Sequence, residues 1–209
     1  MENKKRDYLK WSKSNLSRSI YNSLDGEYDS PYNEVFNRML SNRILFLSGE
    51  INLYSSEIIK SQILYLESLD SEKDITIYIN SPGGSIYDGL GILDIMDYVK
   101  PDIVTINTGL AASMGAIILC SGTKGKRKAL KRSRTMIHQP MGGGWAQQAS
   151  DMEIEAREIN DLKKELYEII SDRTGHTYSK VLKDGDRDYW MNAKQAKEYG
   201  MIDKIVGKK

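Results

Sequence analysis

Three kinds of side chain in this sequence could together cut an amide bond. Ser113 stands in Asn107-Thr108-Gly109-Leu110-Ala111-Ala112-Ser113-Met114-Gly115-Ala116-Ile117-Ile118-Leu119-Cys120, and His138 in Met136-Ile137-His138-Gln139-Pro140. Three carboxylates crowd Lys183-Asp184-Gly185-Asp186-Arg187-Asp188. A serine hydroxyl becomes a nucleophile when a base takes its proton, and an imidazole does this near neutral pH. The imidazole in turn needs an acceptor to hold its tautomer, commonly a carboxylate. Spacing alone does not choose among Asp184, Asp186 and Asp188. The chain has two histidines, so histidine chemistry must use His138 or His176. His176 reads as an exposed residue just past a helix end.

The segments that must carry these groups alternate between strand and helix. Asp102–Ile106 is β-branched and apolar, a buried strand, and the apolar run after Ser113 is a buried helix. The turn between them would lift Ser113 to a helix N-terminus, where free N–H groups favour negative charge. The strict G-x-S-x-G elbow is absent, because Ala111 occupies its first glycine. A plainer alternative makes Ser113 a helix cap. Ser81-Pro82-Gly83-Gly84-Ser85 is another strand-to-helix turn, where bare backbone can approach a ligand closely. Gly84 N–H and Met114 N–H could together form an oxyanion hole.

Taken in order, residues 1 to about 33 are polar, lack clear periodicity and read as a mobile or partner-ordered segment. A short helix is expected over Tyr32–Leu40, a strand over Arg43–Leu47 and an amphipathic helix over Asn52–Leu69. A strand over Asp74–Asn80 leads to a helix over Ile86–Val99, and the Ser113 unit repeats the pattern. This implies parallel strands with helices packed on them. The basic run Lys124–Arg134 reads as a solvated hairpin with Lys128-Ala129-Leu130 as a strand, rather than a nucleic-acid patch. Thr135-Met136-Ile137 is a short strand delivering His138. Ser150–Asp172 is a long helix, with Ser150 as cap and Glu153 in the capping-box position. Its apolar stripe is Ile159, Leu162, Leu166 and Ile169. Glu153–Arg157 and Lys164–Glu168 are supporting i,i+4 pairs, and Gly175 ends it. Tyr178–Lys183 and Ala193–Tyr199 are shorter helices, and Ile202–Val206 is a last strand.

Bulk properties narrow the field. A chain of 209 residues fits one domain of ordinary size. Its net charge of +1 supplies no field for nucleic acid or membrane, and the single cysteine, Cys120, excludes an internal disulfide and a cysteine-cluster metal site. No apolar run approaches the roughly 20 residues of a membrane span. The start lacks the apolar region of a signal peptide, so a cytoplasmic protein is expected.

Several stretches in register resemble the proteolytic subunit of the Clp protease, a self-compartmentalised serine peptidase. They are Tyr78-Ile79-Asn80-Ser81-Pro82-Gly83-Gly84; Ala112-Ser113-Met114-Gly115-Ala116; Gly122 with Lys124-Gly125-Lys126-Arg127; Met136-Ile137-His138-Gln139-Pro140; Ala156-Arg157-Glu158-Ile159; and Glu198-Tyr199-Gly200-Met201-Ile202-Asp203. The resemblance covers about residues 34 to 206, so the chain divides into a flexible axial segment, 1–33, and a peptidase domain, 34–209.

It implies an α/β fold, the crotonase-like spiral of ββα units with a protruding handle helix at about 150–172. It implies Ser113 as nucleophile, His138 as base, Asp188 as the triad aspartate, and Gly84 and Met114 as the oxyanion hole. No cofactor and no metal are expected. The implied assembly is a homo-oligomer of two stacked heptamers, with Asp186 and Arg187 making the cross-ring contact. A AAA+ unfoldase would dock in apolar clefts at Tyr78, Tyr98 and Leu130 and deliver polypeptide substrates. Activity should then decline as pH drops through roughly 6.5. Two other readings carry the same stretches: a non-catalytic ring subunit of a mixed assembly, and a crotonase-type acyl-CoA enzyme.

The chain departs from the family pattern in three places. Residues 142–149, Gly-Gly-Gly-Trp-Ala-Gln-Gln-Ala, carry one extra residue and lack a second glycine, which bears on substrate register by β-addition and on ring contact. Thr76, Thr108 and Lys128 stand where the docking cleft is usually apolar or aromatic. The N-terminal segment does not match the usual axial loop.

Overall fold

A computed structural model describes residues 31–141 and 148–207. The expected mobile segment falls almost wholly outside that range, as do residues 142–147 with the extra residue. Seven strands and seven helices make up the described chain. The elements are α1 (Pro31–Ser41), β1 (Ile44–Ser48), α2 (Leu53–Leu69), β2 (Ile75–Ser81), α3 (Ile86–Tyr98), β3 (Ile103–Ala112) and α4 (Met114–Cys120). They continue as β4 (Arg127–Leu130), β5 (Arg134–Ile137), α5 (Ala149–Thr174), α6 (Tyr178–Asp184), β6 (Tyr189–Asn192), α7 (Ala193–Tyr199) and β7 (Lys204–Val206).

The α/β expectation holds. β1, β2, β3, β4 and β7 lie side by side in that order, every pair parallel. Side chains alternate across a strand, and here the alternation separates two faces. Leu45, Leu47, Ile75, Ile77 and Ile79 point into the core with Ile59, Ile63 and Leu66 of α2, all at most 1% exposed. Each such side chain stabilises the fold by about 1.5–3 kcal/mol relative to exposure. Phe46, Tyr78 and Asn80 point the other way and stay half-buried or exposed.

Capping fixes where α2 and α3 begin. Asn52 accepts from Ser55 N–H at 3.0 Å while Ser55 Oγ accepts from Asn52 N–H at 3.0 Å, a reciprocal box. Ser85 Oγ accepts from Asp88 N–H. At the far end of α2 an arginine does the work. Arg43, at φ +62°, donates to the carbonyls of Leu66, Asp70, Lys73 and Asp74 at 2.8–3.0 Å, satisfying groups a helix end leaves open.

β3 is the organising strand. β2 runs along one edge of it from Ile103 to Ala111. On the other edge β4 takes Thr105–Asn107, and then β5, also parallel, takes Leu110–Ala112. Asn107 sits at the changeover, fully buried, with Nδ2 donating to Arg134 C=O at 2.8 Å and to Thr135 Oγ1 at 3.2 Å. β6 pairs antiparallel with β5.

The hairpin expected over Lys124–Arg134 is therefore absent: β4 and β5 both pair with β3 and not with each other. Nor is the basic run a solvated face throughout. Lys126 Nζ lies 2.7 Å from both Asp74 and Asp102. Arg127 is 4% exposed and pairs with Asp203.

The long helix, α5, spans 26 residues, about 39 Å. It starts after Gln148, which makes no side-chain cap, so Ser150 lies inside the helix instead of capping it. Gly175 ends it in the left-handed conformation, as expected. Lys164 and Glu168 lie 3.9 Å apart, whereas Arg157 Nε donates to the carbonyl of Glu153. No described helix is long and apolar enough to cross a membrane.

Candidate active site

Three strand ends bring the chemistry together. Ala112 pairs with Met136, and Ile137 pairs with Tyr189. One residue beyond these pairs stand Ser113 after β3, His138 after β5 and Asp188 before β6. Ser113 N–H donates to Met136 C=O at 2.9 Å, which carries the ladder one step further. The register thus delivers all three side chains to one end of three adjacent strands. They line a single cavity of about 360 Å3.

Ser113 is held in an unusual backbone conformation, φ +54° and ψ −128°. A non-glycine residue is strained there, and such strain gathers at functional turns. Its hydroxyl makes no capping hydrogen bond to α4. The helix-cap alternative is thereby excluded, and the hydroxyl is left to the cavity.

The Gly83-Gly84 turn lies directly against it. A β-carbon on Gly83, at φ +96°, would sit 2.6 Å from Ser113 Cβ and 2.8 Å from Ala112 C=O. On Gly84, at φ +150°, it would sit 2.1 Å from Ile51 C=O. Neither position accepts a side chain. Ile51 and Gly84 form an isolated parallel bridge, whose two bonds use Gly83 C=O and Ser85 N–H. Gly84 N–H takes no part in it. Met114 is the first residue of α4, where an N–H has no partner within the helix. Both Gly84 and Met114 line the cavity beside Ser113.

His138 Nδ1 lies 3.8 Å from Asp188 Oδ1, beyond hydrogen-bond length. The His138 side chain is 12% exposed and that of Asp188 61%. Of the three candidate carboxylates, Asp188 alone lines the cavity. Asp184 is bound elsewhere, accepting from Lys180 Nζ at 2.7 Å and Tyr199 Oη at 3.0 Å. Burial pushes its carboxyl up, but those two donors outweigh burial and hold it below the ordinary range. Asp186 and Arg187 are exposed.

The rest of the wall is apolar and includes Pro82, Ile86, Ile117, Met136, and Leu166 and Ile170 from α5. The α5 stripe runs through Ile169 as expected, partly buried against the core, and Ile170, one turn on from Leu166, is buried as well. Cys120 is buried and plays no part, its thiol pushed up to about 11 by burial.

His176 is not the exposed residue expected. It is half-buried, its ring 4.4 Å from that of Tyr199, and Nε2 has no hydrogen-bond partner. It does not line the cavity. Tyr78 and Leu130 stand on the exposed sheet face, whereas Tyr98 ends α3, 77% exposed.

The family model for Clp protease matches residues 27–209. This chain belongs to the Clp protease family. The ATP-dependent Clp protease proteolytic subunit of Bacteroides fragilis is 57% identical over 176 residues, 84% of either chain. The subunit of the same name from Porphyromonas gingivalis is 52% identical over 202 residues, 97% of this chain and 90% of the relative. ATP-dependent Clp protease proteolytic subunit 2 of a Synechococcus species is 52% identical over 176 residues, 84% and 89%. Clp proteases are serine peptidases, and so is this chain. The cavity gathers a hydroxyl that does not cap its helix, an imidazole 3.8 Å from a carboxylate, and the backbone of Gly84 and Met114.

Proposed function

We propose that Ser113, His138 and Asp188 form the catalytic triad of a chambered serine endopeptidase, with Gly84 N–H and Met114 N–H as its oxyanion hole. One observation carries this reading: the β3–β5–β6 register puts the three side chains at one end of adjacent strands, lining one cavity. His138 Nε2 takes the Ser113 proton as Oγ bonds to the scissile carbonyl carbon. The carbonyl oxygen, now negative, is met by the two N–H groups. The imidazolium returns its proton to the leaving amine, the C–N bond breaks, and an acyl-enzyme remains on Ser113. Water, deprotonated by the same imidazole, then cleaves the ester. No step consumes ATP. Asp188 faces the His138 nitrogen that must keep its proton, so it fixes the tautomer and offsets the imidazolium charge.

The assembly is proposed as two stacked heptamers in the cytoplasm, with α5 as the handle between rings and the exposed pair Asp186 and Arg187 meeting the opposite ring. The partner is a Clp-type AAA+ unfoldase, which supplies unfolded polypeptide. The partly exposed sheet face supports a docking role. Phe46, Tyr78, Ile106, Lys128 and Lys204 form one cross-sheet row, apolar at one end and cationic at the other. Leu130, 37% exposed, stands one row on, and Tyr98 adds exposed aromatic surface.

Ser113→Ala is expected to lower hydrolysis of a short fluorogenic peptide by about 10^3-fold or more, with the native mass of the assembly unchanged. Labelling of Ser113 by a serine-reactive phosphonate separates this reading from a non-catalytic ring subunit. Unchanged peptide turnover in Ser113→Ala would refute the assignment.

A further inference from the structure

α5 does more than wall the cavity. Tyr167, one position after Leu166, is 1% exposed and is the largest fully buried side chain of the described chain. Its Oη donates to Gly185 C=O at 2.6 Å. Gly185 presses on the ring: a β-carbon there would lie 2.7 Å from Oη and 2.9 Å from Cζ. A tyrosine at 167 therefore requires glycine at 185. One turn before Tyr167 on the same helix, Lys163 Nζ donates to Gln139 Oε1 at 2.9 Å, and Gln139 Nε2 donates to Asp186 C=O at 3.0 Å. Lys163 Nζ also lies 5.9 Å from the centre of the Tyr167 ring. Two consecutive carbonyls, those of Gly185 and Asp186, are thus tied down just ahead of Asp188. One is held by α5 and the other by the residue next to His138.

The Asp188 side chain itself is lightly held, 61% exposed and 3.8 Å from His138 Nδ1. Its aim is then set by the backbone it springs from. We infer that Tyr167 is a positioning residue for Asp188, its Oη–Gly185 hydrogen bond fixing the segment from which the carboxylate reaches His138. The inference rests on Asp188 being the triad carboxylate. Burial pushes the Tyr167 phenol up to about 12, so it stays protonated and remains a donor at neutral pH.

The test compares the full-length wild type with Tyr167→Phe, Asp188→Asn and the double variant, by hydrolysis of a short fluorogenic peptide and by native mass. Tyr167→Phe keeps the ring and removes only the donor. It should lower kcat about tenfold with KM within about twofold, since misplacing a catalytic group costs turnover rather than binding. The assembly should keep its mass. Added to Asp188→Asn, the same change should cost nothing further, because its effect runs through the carboxylate. Three outcomes overturn the inference alone: kcat of Tyr167→Phe within about twofold of wild type, an equal tenfold loss in the Asp188→Asn background, or loss of assembly, which would make the hydroxyl a folding group. Full activity in Asp188→Asn would instead sink the triad assignment, and the inference with it.

Discussion

Arg127–Asp203 and His138–Asp188 each set a carboxylate against a nitrogen base, and they are built in opposite ways. In the first, both side chains are largely buried, 5% and 18% exposed. Asp203 Oδ2 accepts from the N–H groups of Gly125 and Arg127 and from Arg127 Nε, and Oδ1 accepts from Nη2 at 2.7 Å. The guanidinium has one more donor, Nη1, which reaches the carbonyls of Cys120 and Arg173 at the ends of α4 and α5. In the second, the carboxylate is 61% exposed and the contact is 3.8 Å. A saturated pair has one geometry and locks elements together. An under-satisfied pair can change its contact and its charge as a proton moves, which catalysis requires. Under the proposed triad, stability and chemistry fall to different charged pairs.

The two pairs should differ most at Arg127. Arg127→Ala removes every partner of a buried carboxylate except two backbone amides, and strips two helix-end carbonyls of their donor. Breaking a buried pair from one side costs about 3–5 kcal/mol, and that loss is expected in denaturant unfolding. A loss below about 1 kcal/mol would place this pair with ordinary surface pairs and erase the contrast.

The same contrast explains what could be read from the sequence. His138 was legible because it directly follows a short apolar strand, and Ser113 because it stands just before an apolar helix, although β3 runs on past the expected Asp102–Ile106 to Ala112. Strand and helix ends are local in sequence. The Gly83-Gly84 turn was legible for the same reason. Arg127 was not, because the carboxylate that neutralises it lies 76 positions away, so a buried arginine looked like one more charge in a basic run. The hairpin reading failed with it: β4 and β5 each find their partners on β3, which no local pattern encodes. β6 was missed because Tyr189-Trp190-Met191 is too short for its alternation to register. Tyr167 was invisible for a further reason. Its partner is a backbone carbonyl, and the matching signal is only the absence of a side chain at Gly185.

Acid should weaken the Arg127–Asp203 pair by a smaller amount. Burial alone would raise the Asp203 carboxyl, but the Arg127 guanidinium and the amides of Arg127 and Gly125 outweigh it and hold it below its ordinary value of 3.8. A group depressed in the folded state stabilises the fold above its unfolded value, and the contribution is lost as pH falls through the folded one. Asp203→Asn should therefore be less stable than wild type at neutral pH, by about 1.5–3 kcal/mol, the range for hydrogen bonds to a charged group. The gap should narrow as pH falls below about 4. Unfolding curves at stepped pH measure it, and a gap that stays constant to pH 2 would show that the carboxylate charge contributes nothing.

The smallest stability effect belongs to the other pair, and it is the most discriminating. Asp188→Asn leaves no buried charge behind, because the carboxylate is mostly in water and its nearest base, His138 Nδ1, lies beyond hydrogen-bond length. Water can take up what the carboxylate gives up, so unfolding free energy should change by less than about 1 kcal/mol. Peptide hydrolysis should nonetheless fall by about 10^3-fold or more, because an amide in place of the carboxylate neither holds the correct tautomer nor offsets an imidazolium. Stability and turnover measured on one preparation give both numbers. A large loss of stability would mean that Asp188 is held in the folded protein much as Asp203 is. Its exposure and its long contact with His138 would then misrepresent the working site. A small loss with full activity would leave His138 without its carboxylate and return the choice to the other acids of the 184–188 segment.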